Sequence, residues 1–132
     1  MKNIKIYVEE GAENMDNKFV FLLKKFIPFV CDLINIETPF TLYLVHSKVP
    51  QLRTTGVYIN AENEIWVRTK NRNVMADVFR SISHEMVHHR QSEMGQLNAR
   101  SGDDTSPEEG MANRVAGIAI RKFGRKYPEI YE

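Results

Sequence analysis

The sequence has only one cysteine, Cys31, among its 132 residues. A single cysteine cannot form an internal disulfide or supply a cysteine-based zinc site, and because Cys31 lies in an apolar run we expect it in the core. The chain also lacks an excess of either charge. Its formal net charge of +1 gives no electrostatic footprint for nucleic acid or anionic lipid. We therefore predict no nucleic-acid partner and interpret the basic run "RKFGRKY" as a solvated helix end.

Long hydrophobic runs are missing as well. The most apolar segment, "FVFLLKKFIPFVCDL", is interrupted by Lys24 and Lys25 and is too short for a membrane span. It also begins too far along the chain, behind an acidic stretch, to be a secretory signal. The sequence therefore predicts a cytoplasmic protein with no membrane partner. Its 42% hydrophobic and 27% charged residues are typical of a folded globular domain.

The first half of the sequence predicts a strand, a helix and three further strands. "NIKIYVEE" alternates apolar and polar residues as a short strand does, and "GAEN" then predicts a turn. Apolar residues recur at helical spacing after Asp16, the predicted N-cap, and Pro28 is expected to kink or split this helix. "TPFTLYLVHS" has the composition of a strand. "GVYINAENEIWVRTK" has that of two strands joined by a tight turn at residues 61–63.

The second half predicts two helices separated by a polar linker. Asn73 is the predicted N-cap of a helix that runs to about Met94, and "GQLNARSGDDTSP" is the linker. The last helix has Ser106 as its predicted N-cap, a proline at its first position and Gly124 near its end. This order predicts an α+β fold in which residues 1–132 form a compact single domain. Its sheet is expected to be small and mainly antiparallel, with the helices on one face.

The stretch "SISHEMVHHRQSE" carries three of the chain's four histidines. At about 100° per helical residue, His84 and His88 lie one turn apart and opposite the apolar stripe, so both imidazoles can reach one metal ion at about 2.0–2.1 Å. Glu85 can then take a proton from a water at that metal, which is the HExxH pattern of two zinc ligands and a general base. His89 falls within the apolar stripe, and we predict that it is packed or hydrogen-bonded rather than a ligand.

A catalytic zinc needs a third protein ligand and one open position. The candidate is Glu109 in "PEEGMAN", which heads a stripe of the last helix rich in alanine and glycine, where two helices can approach closely. The competing interpretation is local. Ser106 and Glu109 would form a capping box, in which the glutamate side chain bonds back to the N-cap backbone. We favour the ligand interpretation.

"HEMVH" followed by "EEGMAN" resembles the gluzincin metallopeptidases, especially the minigluzincins and the small HExxH peptidase-like proteins of phages. The matching positions are His84, Glu85, His88, Glu109 and, weakly, Asn113. The resemblance implies a minigluzincin-like zincin domain, with the HExxH helix and the following ligand helix on one face of the sheet, and one Zn²⁺ per chain. It also implies that Asn113 steadies the ligand His84; a helix-surface amide is the alternative. A phage-encoded protein of this kind would act in the host cytoplasm.

The resemblance also bears on the substrate cleft. The strand before the HExxH helix is usually a sheet edge that borders the cleft, and "EIWVRTK" holds that place here. Larger relatives add a histidine or tyrosine that stabilises the oxyanion, and no motif marks one in this sequence. His46, Tyr58, Tyr127 and Tyr131 qualify by residue type alone.

These observations predict a zinc metallopeptidase that hydrolyses peptide bonds of a peptide or protein substrate. Zinc would be held by His84, His88 and Glu109, with water at the fourth position and Glu85 as the base. The alternative is a catalytically inactive binding protein that zinc stabilises. A metal-free scaffold is a third hypothesis.

Overall fold

The computed structural model describes residues 3–10, 16–70, 72, 74–97 and 106–132. The described elements are, in chain order, β1 (Lys5–Val8), α1 (Asn17–Ile34), β2 (Thr41–Val45), β3 (Gly56–Ile59), β4 (Glu64–Arg68), α2 (Met75–Glu93) and α3 (Pro107–Lys126). A short 3-10 helix at Asn60–Glu62 joins β3 to β4, and a second one at Pro128–Tyr131 follows α3. The α+β fold class is confirmed.

The four strands form one mixed sheet in the order β1-β2-β4-β3. β1 pairs with β2 and β2 pairs with β4 in parallel, and only β3 with β4 is antiparallel. The prediction of a mainly antiparallel sheet is therefore wrong. The physical reason lies in the connections, because α1 carries the chain from β1 back to the start of β2, and such a helical crossover places two strands in parallel.

α1 begins where the sequence predicts. The Asp16 carboxylate accepts a hydrogen bond of 2.9 Å from the Phe19 N–H and so satisfies one free donor of the first turn. The helix continues through Pro28 without being split. It ends at Asn35, a left-handed residue (φ 61°) whose N–H bonds to the Cys31 carbonyl.

One buried cluster joins the three helices to one face of the sheet. The strand residues of that face are buried, among them Leu42, Leu44, Ile65 and Val67. Cys31 is buried in the same cluster, as predicted. On the opposite face, the rings of Tyr7, Tyr43 and Trp66 stack across three neighbouring strands, with centroid separations of 5.3 and 4.1 Å.

The two C-terminal helices match their predicted extents closely. α3 begins with Ser106 as N-cap, whose hydroxyl accepts from the Glu109 N–H, and with a proline in its first turn. α2 is preceded by Val74, while the predicted cap Asn73, the "GAEN" turn and most of the predicted linker lie outside the described residues. Within the described part of the chain, no helix is both long enough and apolar enough to cross a membrane.

Candidate metal centre

α2 presents His84 and His88 on one face, one turn apart. Their ring centroids are 5.0 Å apart and their planes are nearly perpendicular, at 82°. The sequence predicts an apolar stripe of Met75, Val78, Phe79, Ile82 and Met86, and the last four of these are buried on the other side of the helix. The core therefore fixes the rotation of α2, and that rotation turns both imidazoles toward α3.

Glu109 meets both imidazoles from the first turn of α3. Its carboxylate oxygens lie 3.0 Å from His84 Nε2 and 2.7 Å from His88 Nε2. The Ser106 hydroxyl accepts from the Glu109 N–H at 3.2 Å, so this half of the predicted capping box is present. Because both carboxylate oxygens contact the histidines, the side chain faces the α2 cluster while its backbone is capped.

This arrangement fits a zinc ion. Two imidazoles and a carboxylate are donor types that zinc prefers, and ligands about 2.0–2.1 Å from a tetrahedral zinc lie roughly 3.3–3.5 Å apart. The Nε2-to-carboxylate distances of 2.7 and 3.0 Å need only a small spreading to reach that separation. The ligand atoms of His84, Glu85 and His88 also lie within 4.8 Å of one another. Glu85 is therefore beside the same point in space.

Gln91 is a site residue that the sequence reasoning missed. Its side chain is 2% exposed; Oε1 lies 2.8 Å from His88 Nδ1, and Nε2 donates to the Glu108 carbonyl at 3.0 Å. Because that carbonyl can only accept, the amide orientation is fixed, and Oε1 must accept from His88 Nδ1–H. The neutral imidazole then has its lone pair on Nε2, the atom that faces Glu109. A polar residue three positions after His88 was the available sequence signal.

Glu85 is buried beside this cluster, with 7% of its surface exposed. Burial, and secondarily the charge of Glu109, raise the pKa of Glu85 to about 8. A positive charge at the histidine cluster would favour the ionised carboxylate instead. On its other side Glu85 meets β3 at Gly56, where an added Cβ would lie 3.0 Å from Glu85 Oε2. The missing side chain of Gly56 gives the carboxylate its room.

A cleft runs between β3 and α2 and continues to α3. Its lining includes Gly56 and Tyr58 of β3, His84, Glu85 and His88 of α2, and Glu109 and Asn113 of α3. The prediction that "EIWVRTK" is the edge strand beside the cleft is wrong, because β4 lies between β2 and β3. The edge strand beside the cleft is β3, which pairs with β4 on one side and lies at the end of the strand order.

The register shows which main-chain groups of β3 face outward. Arg68 N–H donates to the Thr55 carbonyl at 2.9 Å, so Thr55 and Arg68 form a hydrogen-bonded pair. The pair two positions further along the ladder is Val57 with Trp66. Hydrogen-bonding pairs alternate along an antiparallel ladder. The N–H and C=O groups of Gly56 and Tyr58 therefore point away from β4, toward a strand that could add at this edge.

His89 does not face the cluster of His84, His88 and Glu109. Its ring is 1% exposed; Nε2–H donates to the Thr38 carbonyl at 3.0 Å, and Nδ1 accepts from the Tyr58 hydroxyl at 3.0 Å. The prediction that His89 is a packed, hydrogen-bonded residue is confirmed. Through this ring, α2 is fastened both to the segment before β2 and to the edge strand.

The residues that qualified for oxyanion stabilisation lie in different places. Of His46, Tyr58, Tyr127 and Tyr131, only Tyr58 lines the cleft. Burial raises the pKa of Tyr58, and its hydroxyl also lies 3.1 Å from Asn63 Oδ1. Asn113 lines the cleft as well but is exposed. Among the described residues, no hydrogen bond joins it to His84, so its supporting role stays a prediction.

Comparisons with known proteins give one structural match. The fold is similar to that of a Wss1 mutant from Saccharomyces cerevisiae, with a TM-score of 0.52 and 16% sequence identity over 91% of this chain and 89% of that one. No protein-family model matches the sequence, and no match to a curated protein was found. At this identity the likeness concerns the fold alone. The chain thus combines a fold similar to that of the Wss1 mutant with an HExxH cluster of His84, Glu85 and His88.

Proposed function

We propose that this protein is a zinc-dependent peptidase that hydrolyses peptide bonds. The observation that carries the proposal is the convergence of His84, His88 and Glu109 on one point beside the buried Glu85. The outer edge of β3 adds to it, because it offers an extended peptide a main-chain partner next to those residues.

His84, His88 and Glu109 would hold one Zn²⁺ per chain, with Gln91 keeping the His88 ring in its metal-binding tautomer. A zinc ion bound there polarises a substrate carbonyl and acidifies water. Completion of an HExxH pair by a glutamate on the next helix is the gluzincin arrangement. We propose that residues 1–132 form one domain of that class. The class assignment rests on Glu109 as the third ligand.

Glu85 handles the proton in this proposal. Its carboxylate takes a proton from the attacking water, holds it while the carbonyl carbon becomes tetrahedral, and gives it to the leaving amine nitrogen. Its position suits Glu85 to both roles, because the carboxylate is buried beside the histidine cluster and is held close to the reacting groups. The substrate is held meanwhile by the outward main-chain groups of Gly56 and Tyr58.

The test compares zinc-loaded parent protein with zinc-loaded Glu85→Gln on a set of unstructured peptides, with fragments read by mass spectrometry. We expect fragments from the parent and at least about 100-fold slower cleavage by Glu85→Gln, since a positioned general base contributes roughly that much or more. Zinc content should be equal in the two. Equal cleavage by both proteins would contradict the proposal.

A second candidate function is a zinc-stabilised binding protein without turnover. The observation in its favour is that the Tyr58 hydroxyl, the one qualifying oxyanion group in the cleft among the described residues, is engaged by His89. This candidate predicts one zinc per chain and no cleavage of any peptide. The same comparison of parent and Glu85→Gln therefore separates the two functions.

A further inference from the structure

The face of α2 that carries the two histidines also carries Arg80, one turn before His84. α2 and α3 pack antiparallel along this face. His88 contacts Glu109, and eight residues back along α2, Arg80 reaches Gly117, eight residues further along α3. Arg80 therefore lies in the same groove as the proposed metal ligands and lines the same cleft.

Two guanidinium groups meet over Gly117. An added Cβ at Gly117 would lie 3.4 Å from Arg80 Nη2 and 3.5 Å from Arg121 Nη1. Arg80 and Arg121 are both exposed, and among the described residues neither guanidinium has an ion pair or a hydrogen bond. Two like charges thus approach one small patch of α3, and no acidic group in the described part of the chain pairs with either of them.

The acidic residues of the cleft lie beside the histidines and not beside Arg80. The acidic lining residues are Glu85 and Glu109, which face the histidine cluster. Nothing acidic in the described lining remains to neutralise Arg80. Two guanidinium groups without a partner can bind a planar anion strongly, because each presents a fork of N–H donors that matches the geometry of a carboxylate.

We propose that Arg80 and Arg121 form a subsite for a carboxylate of the peptide substrate, and this proposal rests on the proposed peptidase function. One helical turn displaces Arg80 by about 6 Å from His84, while an extended peptide advances about 3.3 Å per residue. The carboxylate therefore belongs to a residue one to three positions from the bond that is cleaved. It comes either from an aspartate or glutamate side chain or from the C-terminus of the substrate.

Four matched peptides distinguish these sources. One pair contains glutamate or glutamine near the cleaved bond and has an amidated C-terminus; the other pair is neutral in its side chains and ends in a free acid or an amide. We expect the parent to prefer one carboxylate peptide over its neutral partner by about 10-fold in kcat/KM, the effect of a charge-assisted hydrogen bond. The preference should weaken as salt is raised.

Three variants assign that preference to residues. Arg80→Gln should abolish most of it, Arg121→Gln should reduce it, and Arg80→Lys should retain a part because the charge remains while the fork is lost. Arg114→Gln is the matched control. Arg114 lies over Gly110 as Arg121 lies over Gly117, but among the described residues no second guanidinium group shares that position with it. The melting temperature of each variant checks that these exposed substitutions leave the fold intact.

A binding measurement separates failure of the subsite from failure of the peptidase function. Zinc-loaded Glu85→Gln is titrated against dye-labelled forms of the four peptides, and affinity is read by fluorescence anisotropy. If the parent cleaves nothing, the peptidase function fails, yet an Arg80-dependent preference for the carboxylate peptides in this titration still supports the subsite. Equal affinity for all four peptides, or a preference that survives Arg80→Gln, would overturn it. So would Arg80-dependent binding of a single-stranded oligonucleotide without any carboxylate preference.

Discussion

Gln91 shows how one side chain can set the state of another. It is almost completely buried, and its two amide atoms are used in opposite senses, one toward His88 and one toward the Glu108 carbonyl. It therefore links the HExxH helix to the residue before Glu109. A leucine of similar size would leave a donor and an acceptor buried without partners.

We predict that Gln91→Leu lowers zinc affinity about 10- to 100-fold, the usual effect of removing the partner of a ligating imidazole. The same change should lower the free energy of unfolding by about 1–3 kcal/mol. Gln91→Glu, which keeps an oxygen acceptor for His88, should bind zinc more tightly than Gln91→Leu. Competition titration with a chromophoric chelator measures both variants, and equal affinity of Gln91→Leu and parent would show that Gln91 has no part in the site.

Gly56 tests the position of the base without changing the base. A methyl group there would approach Glu85 Oε2 at 3.0 Å, closer than side chains normally pack, so the carboxylate must move. We predict that Gly56→Ala lowers kcat/KM for peptide cleavage by about 10-fold, because even a displacement well below 1 Å misplaces a catalytic group. Zinc content should stay at the parent level. Parent-like cleavage by Gly56→Ala would contradict the inference that contact with Gly56 sets the catalytic position of Glu85.

At the scale of elements, local signals predicted the helices well. Asp16 and Ser106 cap α1 and α3 as their side chains suggest, and the spacing of apolar residues gave the extent of α2 to within a residue or two. These features depend on contacts between residues three or four apart. His84, Glu85 and His88 were predictable for the same reason, since one helix turn brings them together.

The sheet was not predictable in the same way. Alternation identifies a strand and its buried face, but it does not say which strand lies beside it. β4 was therefore predicted to be an edge strand, although its pairing with both β2 and β3 makes it an interior strand. The placement of α1 between β1 and β2 was the signal for a parallel pair. Gln91 and Gly56 acquire their roles only through this packing, because their partners come from other elements.

The C-terminal end of α2 carries a buried acid that anchors a loop. Glu93 is 7% exposed on its side chain and accepts from the Glu37 and Thr38 N–H groups and from Arg90. Burial acts to raise the pKa of Glu93, but the hydrogen bonds from Thr38, Arg90 and Glu37 outweigh it and hold the pKa below its ordinary value. The charged form is therefore favoured in the folded protein.

A depressed pKa means that Glu93 contributes stability above the pKa it has in the unfolded chain and loses it as pH falls through the folded pKa. We predict that Glu93→Gln lowers the free energy of unfolding at pH 7 by about 1–3 kcal/mol, the effect of weakening hydrogen bonds to a buried charge. The difference from the parent should shrink below about pH 4. Urea unfolding at a series of pH values measures it, and a difference that grows on acidification would contradict this account.

At the scale of the whole molecule, the proposed metal ligands join two helices that are separated in sequence. His84 and His88 belong to α2 and Glu109 to α3. A metal held by both helices binds the folded chain and not the unfolded one, so its binding energy adds to folding. The site should therefore affect stability as well as chemistry.

We predict that removal of zinc with a chelator lowers the melting temperature by several degrees and that added zinc restores it. At free zinc 100 times its dissociation constant, the expected gain is about 2.7 kcal/mol. Calorimetry on the same sample before and after chelation provides the measurement. An unchanged melting temperature in protein shown to have lost its zinc would argue against a site that joins α2 and α3.

The most direct test of the account is the zinc affinity of Glu109→Gln set beside that of Glu108→Gln. The two residues are neighbours on α3, turned about 100° apart, and only the Glu109 side chain contacts His84 and His88. Because glutamine keeps the shape of glutamate but removes the anionic donor, Glu109→Gln should bind zinc at least about 100-fold more weakly. Glu108→Gln, which keeps the backbone carbonyl used by Gln91, should bind like the parent. One tightly bound zinc in both variants would contradict the proposed ligand set, and with it the gluzincin-type peptidase.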